Sequence, residues 1–330
     1  MKKILMLSTG GTIAGEHTET GLVPVYSGDF LVSNIPEVKE LCEVECKDVL
    51  QLDGTNIQPE DWTILAEVVY DAQQTYDGIV ITHGTDTMAY TACALSYMVQ
   101  NLKKPVILTG SQIAMIDPDT DGKQNLMDAF RAVCADIPGV SIVFHGRIIQ
   151  GIRAQKINTR DLDAFRSINA ADTGAIVNGE VVIHHMPPMP EGELTLDTRL
   201  ERRVVQIKLL PGIEPKQLES MIGMGYHGII LEAFGCGGIP NYGRDLLPCL
   251  KRAQQFGVAV LIATQCKYGF VDLSVYDVNV QAARLGAMSA YDMSTEAAAV
   301  KLMWVLGHTS DLAEVRRMME TCYVGEFEQK

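Results

Sequence analysis

Three places in this chain carry groups able to make and break bonds: Thr12, the Thr85-Asp86 pair, and Lys156. Thr12 follows the short apolar run Ile4-Leu5-Met6-Leu7-Ser8-Thr9 and the pair Gly10-Gly11. Such a run reads as a buried strand, and glycines at its end let the backbone turn sharply and approach a ligand closely. In an open α/β sheet the ligand crevice lies outside the carboxyl ends of the strands. Thr12 therefore reads as a nucleophile held at the mouth of that crevice. A plain tight turn is the competing reading of Gly-Gly. A phosphate-binding loop is excluded, because neither G-x-x-x-x-G-K-[ST] nor G-x-G-x-x-G is spelled out.

Other strand ends carry polar groups too. The segment from Glu16 to Ser27 reads as a long flexible loop, either a lid or a disordered surface stretch, with the phenol of Tyr26 near its far end. An alternating run over 44–52 leads into Asp53-Gly54-Thr55-Asn56, and Pro59-Glu60-Asp61 then opens a helix. The buried strand Gly78-Ile79-Val80-Ile81-Thr82 ends in His83-Gly84-Thr85-Asp86-Thr87, with a helix expected from Met88 to Gln100. Thr and Asp are favoured helix caps, so capping competes with chemistry for Thr85 and Asp86, and His83 reads as structural. The strand 105–110 leads to Ser111-Gln112 and a loop through Asp117, Asp119 and Asp121. That loop lacks the ligand order of a calcium site and reads as a solvated turn. Lys156 ends Arg153-Ala154-Gln155-Lys156, where an exposed lysine and a catalytic one look alike.

The elements that must position these groups form an α/β chain. Its 330 residues suffice for two cores. A net charge of −14 argues against nucleic acid as the main partner. No apolar run reaches the length of a membrane span, and the Lys2–Leu7 opening is too short for a secretory signal. The eight cysteines form no C-x-x-C pair and the seven histidines no ligand spacing, so neither zinc nor a disulfide framework is expected. The Pro-rich stretch after Pro187 breaks the pattern. The expected division is a first domain over 1–187, a linker over 188–203 and a second domain over 204–330. The fold class is two α/β domains: a larger N-terminal one with a mostly parallel, helix-flanked sheet, and a smaller C-terminal one with a parallel sheet.

Taken together, Thr9-Gly10-Gly11-Thr12-Ile13-Ala14, His83-Gly84-Thr85-Asp86-Thr87 and Lys156 resemble the bacterial L-asparaginases. The likeness extends over nearly the whole chain and points to the cytoplasmic type I branch. It implies that Thr12 attacks the side-chain amide carbon of L-asparagine, with Tyr26 activating or orienting it. Thr85, Asp86 and Lys156 form a second group, in which the ammonium eases proton loss from Thr85. An acyl-enzyme ester forms, ammonia leaves, and water releases aspartate, with no metal or organic cofactor. Asp53, Gly54, Thr55, Thr85 and Asp86 would bind the substrate.

The resemblance further implies a homodimer or homotetramer, with sites shared between one subunit's N-terminal and a neighbour's C-terminal domain. It implies no nucleic-acid or membrane partner. An archaeal tRNA-dependent amidase is disfavoured, since that protein carries an extra N-terminal domain. Two departures stand out. Gly54 stands where relatives usually have serine, which leaves the asparagine-to-glutamine preference open. Glu232, expected just after a strand ending at Leu231, stands where an effector-binding arginine occurs in some type I enzymes, so that effector mode is expected to be absent or altered. A broad glutaminase-asparaginase and a non-catalytic amino-acid sensor remain as alternatives.

Overall fold

The computed structural model describes residues 1–328 and divides into two compact units, Met1–Thr198 and a second from Arg199 onward. In the first, eight strands form one sheet: β1 (Lys2–Gly10), β2 (Cys42–Leu52), β3 (Gly78–Thr82), β4 (Pro105–Thr109), β5 (Gly139–Phe144), β6 (Arg147–Gln150), β7 (Gly174–Val177) and β8 (Glu180–Ile183). The order is β8-β7-β6-β5-β4-β3-β1-β2. The five strands from β2 across to β5 pair in parallel, and β6, β7 and β8 continue antiparallel as hairpins. β1, β3 and β4 are buried on both faces, as their near-continuous apolar sequences demand.

The helices of this unit are α1 (Gly28–Ser33), α2 (Pro59–Ala72), α3 (Met88–Met98) and α4 (Gly122–Val133). Ile4 and Met6 share a core with Leu31 of α1 and with Leu126, Phe130 and Val133 of α4. α3 packs against α2 and β5. Its side chains are apolar nearly all round and almost all buried, as an enclosed helix requires.

Several elements differ from the sequence reading. The segment after Thr12 is a hairpin, Gly15–Thr18 against Gly21–Pro24, because a turn at Thr18–Gly21 lets two short arms pair. α3 stops at Met98, and Val99–Gln100 instead pairs with Thr195–Leu196, a strand inside the expected linker. α4 begins at Gly122, three residues before the Asn125 expected from its apolar face.

The second unit holds a parallel sheet in the order β9 (Val204–Lys208), β10 (Gly228–Ala233), β11 (Ala259–Thr264), β12 (Met288–Ser289). Its helices are α5 (Pro215–Gly223), α6 (Leu247–Gln255), α7 (Asp277–Arg284), α8 (Thr295–Leu306) and α9 (Leu312–Glu320). Glu232 lies within β10 rather than after it, because pairing to Lys208 and Ala263 carries the strand on to Ala233. Its carboxylate accepts a hydrogen bond from Gln206 Nε2. α7 and β12 follow an irregular stretch, 265–276, that shows no regular period.

One buried ion pair closes this unit. Lys301 on α8 and Glu326 are both fully buried and 2.7 Å apart. Lys301 Nζ also donates to the carbonyls of Met319 (2.9 Å) and Thr321 (2.7 Å), while Glu326 accepts from the N–H groups of Tyr323 and Val324. Both charges are thus fully hydrogen-bonded, the condition under which burial is tolerated. Removing one partner leaves the other charge buried alone. Lys301→Met should therefore destabilise the second unit by about 3–5 kcal/mol, and Lys301→Met combined with Glu326→Gln by clearly less, as read from thermal or urea unfolding.

Candidate active site

Parallel pairing brings the polar loops together. Gly10 is in register with Leu52, Ser8 with Thr82, and Thr82 with Thr109. Four neighbouring strands therefore end at one edge of the sheet. Thr12, Asp53–Thr55, His83–Thr87 and Gly110–Gln112 leave that edge side by side.

Glycines decide how closely these loops approach. Gly11 has φ +76°, and its N–H donates to the Leu52 carbonyl at 2.9 Å. A Cβ on Gly11 would lie 2.5 Å from Gly84 N, and one on Gly84 would lie 2.4 Å from Gly54 Cα. Backbone touches backbone at all three, so only glycine is accommodated at Gly11 and Gly84.

Thr12 opens a 3₁₀ turn, Thr12–Ala14, and is half-buried. Among the described residues nothing hydrogen-bonds its Oγ1. Thr85 is 6% exposed. Its Oγ1 accepts from Lys156 Nζ at 2.7 Å and makes a long contact, 3.4 Å, toward Gln112 Oε1. Lys156 Nζ also donates to Asp86 Oδ1 at 2.7 Å. The lysine side chain is 16% exposed and that of Asp86 55%, so the ammonium is held inside while the carboxylate reaches outward. The strand Ala154–Lys156 delivers the lysine by pairing with Phe165–Ser167. Asp163 braces that pairing through Arg166 (2.6 Å) and Arg147 (3.0 Å). Burial opposes the Asp163 charge, and the two guanidiniums outweigh it, holding its pKa below the ordinary carboxylate value. Thr85, Asp86 and Lys156 therefore meet in space.

Thr85 and Asp86 do not cap the following helix. The residue before α3 is Thr87, whose hydroxyl makes no capping bond. It donates instead to the Gly54 carbonyl at 2.6 Å. Asp53 Oδ1 accepts from both the N–H (2.9 Å) and the hydroxyl (2.8 Å) of Thr55, which shapes their turn and leaves both side chains exposed. Gly54 is buried beneath Gly84.

Tyr26 lies at the base of the hairpin, its N–H bonded to the Ala14 carbonyl at 3.0 Å and its ring stacked on Phe30 at 4.1 Å. Among the described residues no hydrogen bond joins its phenol to Thr12. Burial, and then the charge of Glu16, push that phenol's pKa up. His17 of the hairpin pairs with Asp117 at 3.0 Å.

Two further residues were not assigned roles from sequence. Gln112 contacts Thr85 and donates through Nε2 to the Asp161 carbonyl at 3.1 Å. Asp121, expected in a solvated turn, is buried and accepts from Gln112 N, Ile113 N and Asn125 Nδ2, each at 3.0 Å. The available signal was its place immediately before a helix. Among the described residues no cluster of His, Cys, Asp and Glu suits a metal ion, and no helix is long and apolar enough to cross a membrane.

Two family models together match most of the chain: the N-terminal asparaginase domain over residues 3–189 and the glutaminase/asparaginase C-terminal domain over residues 203–319. The chain belongs to the asparaginase/glutaminase family. It is 42% identical to an L-asparaginase of Thermococcus kodakarensis over 98% of both chains. It is 38% identical to a glutamyl-tRNA(Gln) amidotransferase component from Pyrococcus abyssi, over 99% of this chain and 77% of that one. The solved thermostable L-asparaginase from Thermococcus kodakarensis superposes with a TM-score of 0.95 at 41% identity, over 99% of this chain and 100% of that one. L-asparaginase I from Vibrio cholerae does so with 0.87 at 32% identity, over 99% of each. The larger parallel-sheet domain followed by a smaller one is this family's fold.

His83 supports the site from below. It is fully buried, with Nδ1 2.7 Å from the Gly84 carbonyl and Nε2 2.9 Å from the Thr91 hydroxyl. A carbonyl only accepts, so Nδ1 carries the proton and Nε2 accepts from Thr91. Burial, partly offset by the Gly84 carbonyl, lowers its pKa from 6.5 to about 4. The unfolded chain then binds more protons between those values, so stability falls as pH drops from 6.5 toward 4. Between these pH values wild type should lose about 3 kcal/mol on this account, and His83→Gln should show a flatter pH dependence of its unfolding midpoint.

Proposed function

We propose that this protein is an L-asparaginase that hydrolyses L-asparagine to L-aspartate and ammonia through a threonine nucleophile. The observation that carries the reading is the contact of Lys156 with both Thr85 and Asp86, on a loop adjacent in the sheet to the one that carries Thr12. Thr12 Oγ1 attacks the amide carbon, and its proton passes to the departing nitrogen, which leaves as ammonia. The resulting ester on Thr12 is cleaved by water to aspartate. Thr85 relays the Thr12 proton, giving its own to the departing nitrogen as it takes one up, and the Lys156 ammonium lowers the cost of the negative charge that passes through its oxygen. Backbone N–H groups of the Thr85 loop stabilise the oxyanion. Asp86 holds Lys156 and binds the substrate's α-ammonium; Asp53, Gly54 and Thr55 bind its α-carboxylate end. Tyr26 helps activate or orient Thr12. The chemistry requires no cofactor.

The finer assignments belong to the same reading. The chain is of the type I kind and acts in the cytoplasm as a homodimer or homotetramer, without nucleic-acid or membrane partners. Its domains span 1–187 and 204–330, joined by 188–203. A broad glutaminase-asparaginase is the second reading, favoured by Gly54, which adds no side chain to the substrate loop.

Ammonia release from L-asparagine tests the proposal. Thr12→Ala and Thr85→Ala should each lower kcat at least about a thousandfold, against a nucleophile and proton-transfer contribution of that order. Binding of asparagine without turnover by wild type would instead identify a sensor. Equal rates on glutamine would decide for the broad enzyme.

A further inference from the structure

We infer that Thr87 is a positioning residue that straps the Asp53–Thr55 loop to the Thr85–Asp86 loop and sets the spacing between the two halves of the substrate site. The inference rests on the hydrolase reading above and adds to it a residue with no chemical role of its own.

Thr87 stands where a helix N-cap would stand, with φ −115° and ψ 7°. A threonine there ordinarily turns its hydroxyl to the helix's own N–H groups. Here that bond is not made. The hydroxyl crosses to the neighbouring loop and donates to the Gly54 carbonyl at 2.6 Å. The only other hydrogen bond to this carbonyl among the described residues is a long one from Ile57 N at 3.4 Å.

The two loops are limited in both directions. Approach is stopped by backbone, since a Cβ on Gly54 would stand 3.0 Å from the Cα and C of Gly84. Separation is resisted by the Thr87 bond, anchored at the start of the buried helix α3. Asp53 and Thr55 flank Gly54, while Thr85 and Asp86 flank the other side of the contact. Of these two groups, the Asp53–Thr55 turn would hold the substrate's α-carboxylate, and Thr85 and Asp86 its amide and its α-ammonium. Their separation must match the length of one small amino acid, and the strap holds it there before binding. Thr87 should thus act on binding more than on the bond-breaking step.

Thr87→Val keeps the shape and removes the donor. The expected result is a KM for L-asparagine raised about three- to tenfold, the worth of one hydrogen bond, with kcat changed less than about twofold. The dissociation constant of the product L-aspartate, measured by calorimetry, should rise in parallel. Thr87→Ser, which keeps the hydroxyl, should restore both. Should Thr87→Val not fold, Thr87→Ala removes the same donor without the branched side chain, and should likewise raise KM with kcat little altered. An unchanged KM in a folded, active variant would overturn the strap, as would a loss confined to kcat or a Thr87→Ser variant as impaired as valine. Failure of wild type to release ammonia would overturn the hydrolase reading instead, so the two failures are distinct.

Discussion

The contact of three glycine backbones, at Gly11, Gly54 and Gly84, is the constraint from which the rest of the site follows. Parallel strands place loops at one edge, but a Cβ on Gly11 or Gly84 would collide with the neighbouring backbone at 2.5 or 2.4 Å, and one on Gly54 would press on it at 3.0 Å. Removing every Cβ from the contact lets the loops that carry Thr12, the Asp53–Thr55 turn and Thr85-Asp86 lie directly against one another. The left-handed conformation of Gly11 then turns Thr12 out of the strand direction. Geometry of this kind is inexpensive to maintain, because it relies on backbone packing and not on mobile side chains.

Onto that frame the protein places one internal cation. Lys156 arrives from a separate short strand and divides its hydrogen bonds between a buried hydroxyl and an outward-facing carboxylate. The hydroxyl thereby faces a positive charge in a largely desolvated place, where such an interaction is stronger than in water. His83 directly below remains neutral, so it adds no competing charge. Asp121 performs the complementary task on the Gln112 loop, where one buried carboxylate satisfies several donors that the turn would otherwise leave unpaired.

The sequence reading succeeded where a local rule governs. β1, β3 and β4 are continuous apolar runs ending in Gly or Thr, and their place in a parallel sheet follows from two-sided burial. It failed where partners lie far along the chain. The hairpin after Thr12 has too few apolar residues to show alternation. Val99–Gln100 reads as the last turn of α3, and becomes strand because Thr195–Leu196 pairs with it. α7 buries only Asn279 and Ala282, too little to leave a period. Asp121 reads as part of a solvated turn, and Thr87 shows no role of its own, until the donors and the acceptor they reach are known.

By itself the sequence determined the chemistry on offer: a threonine after paired glycines, a Thr-Asp pair after a buried strand, and a lysine at the end of Arg153-Ala154-Gln155-Lys156, none with metal-binding spacing. It also determined the α/β class, because alternation of buried strands and amphipathic helices is a local property. Tertiary structure alone decided which of these groups meet. Strand order puts β1 between β2 and β3, although Thr12 precedes Thr85 by more than seventy residues in sequence. Hydrogen-bond register then brings their ends level, and a distant strand supplies the ammonium. Register and strand order are set by the cooperative packing of whole faces, which no short stretch of residues encodes.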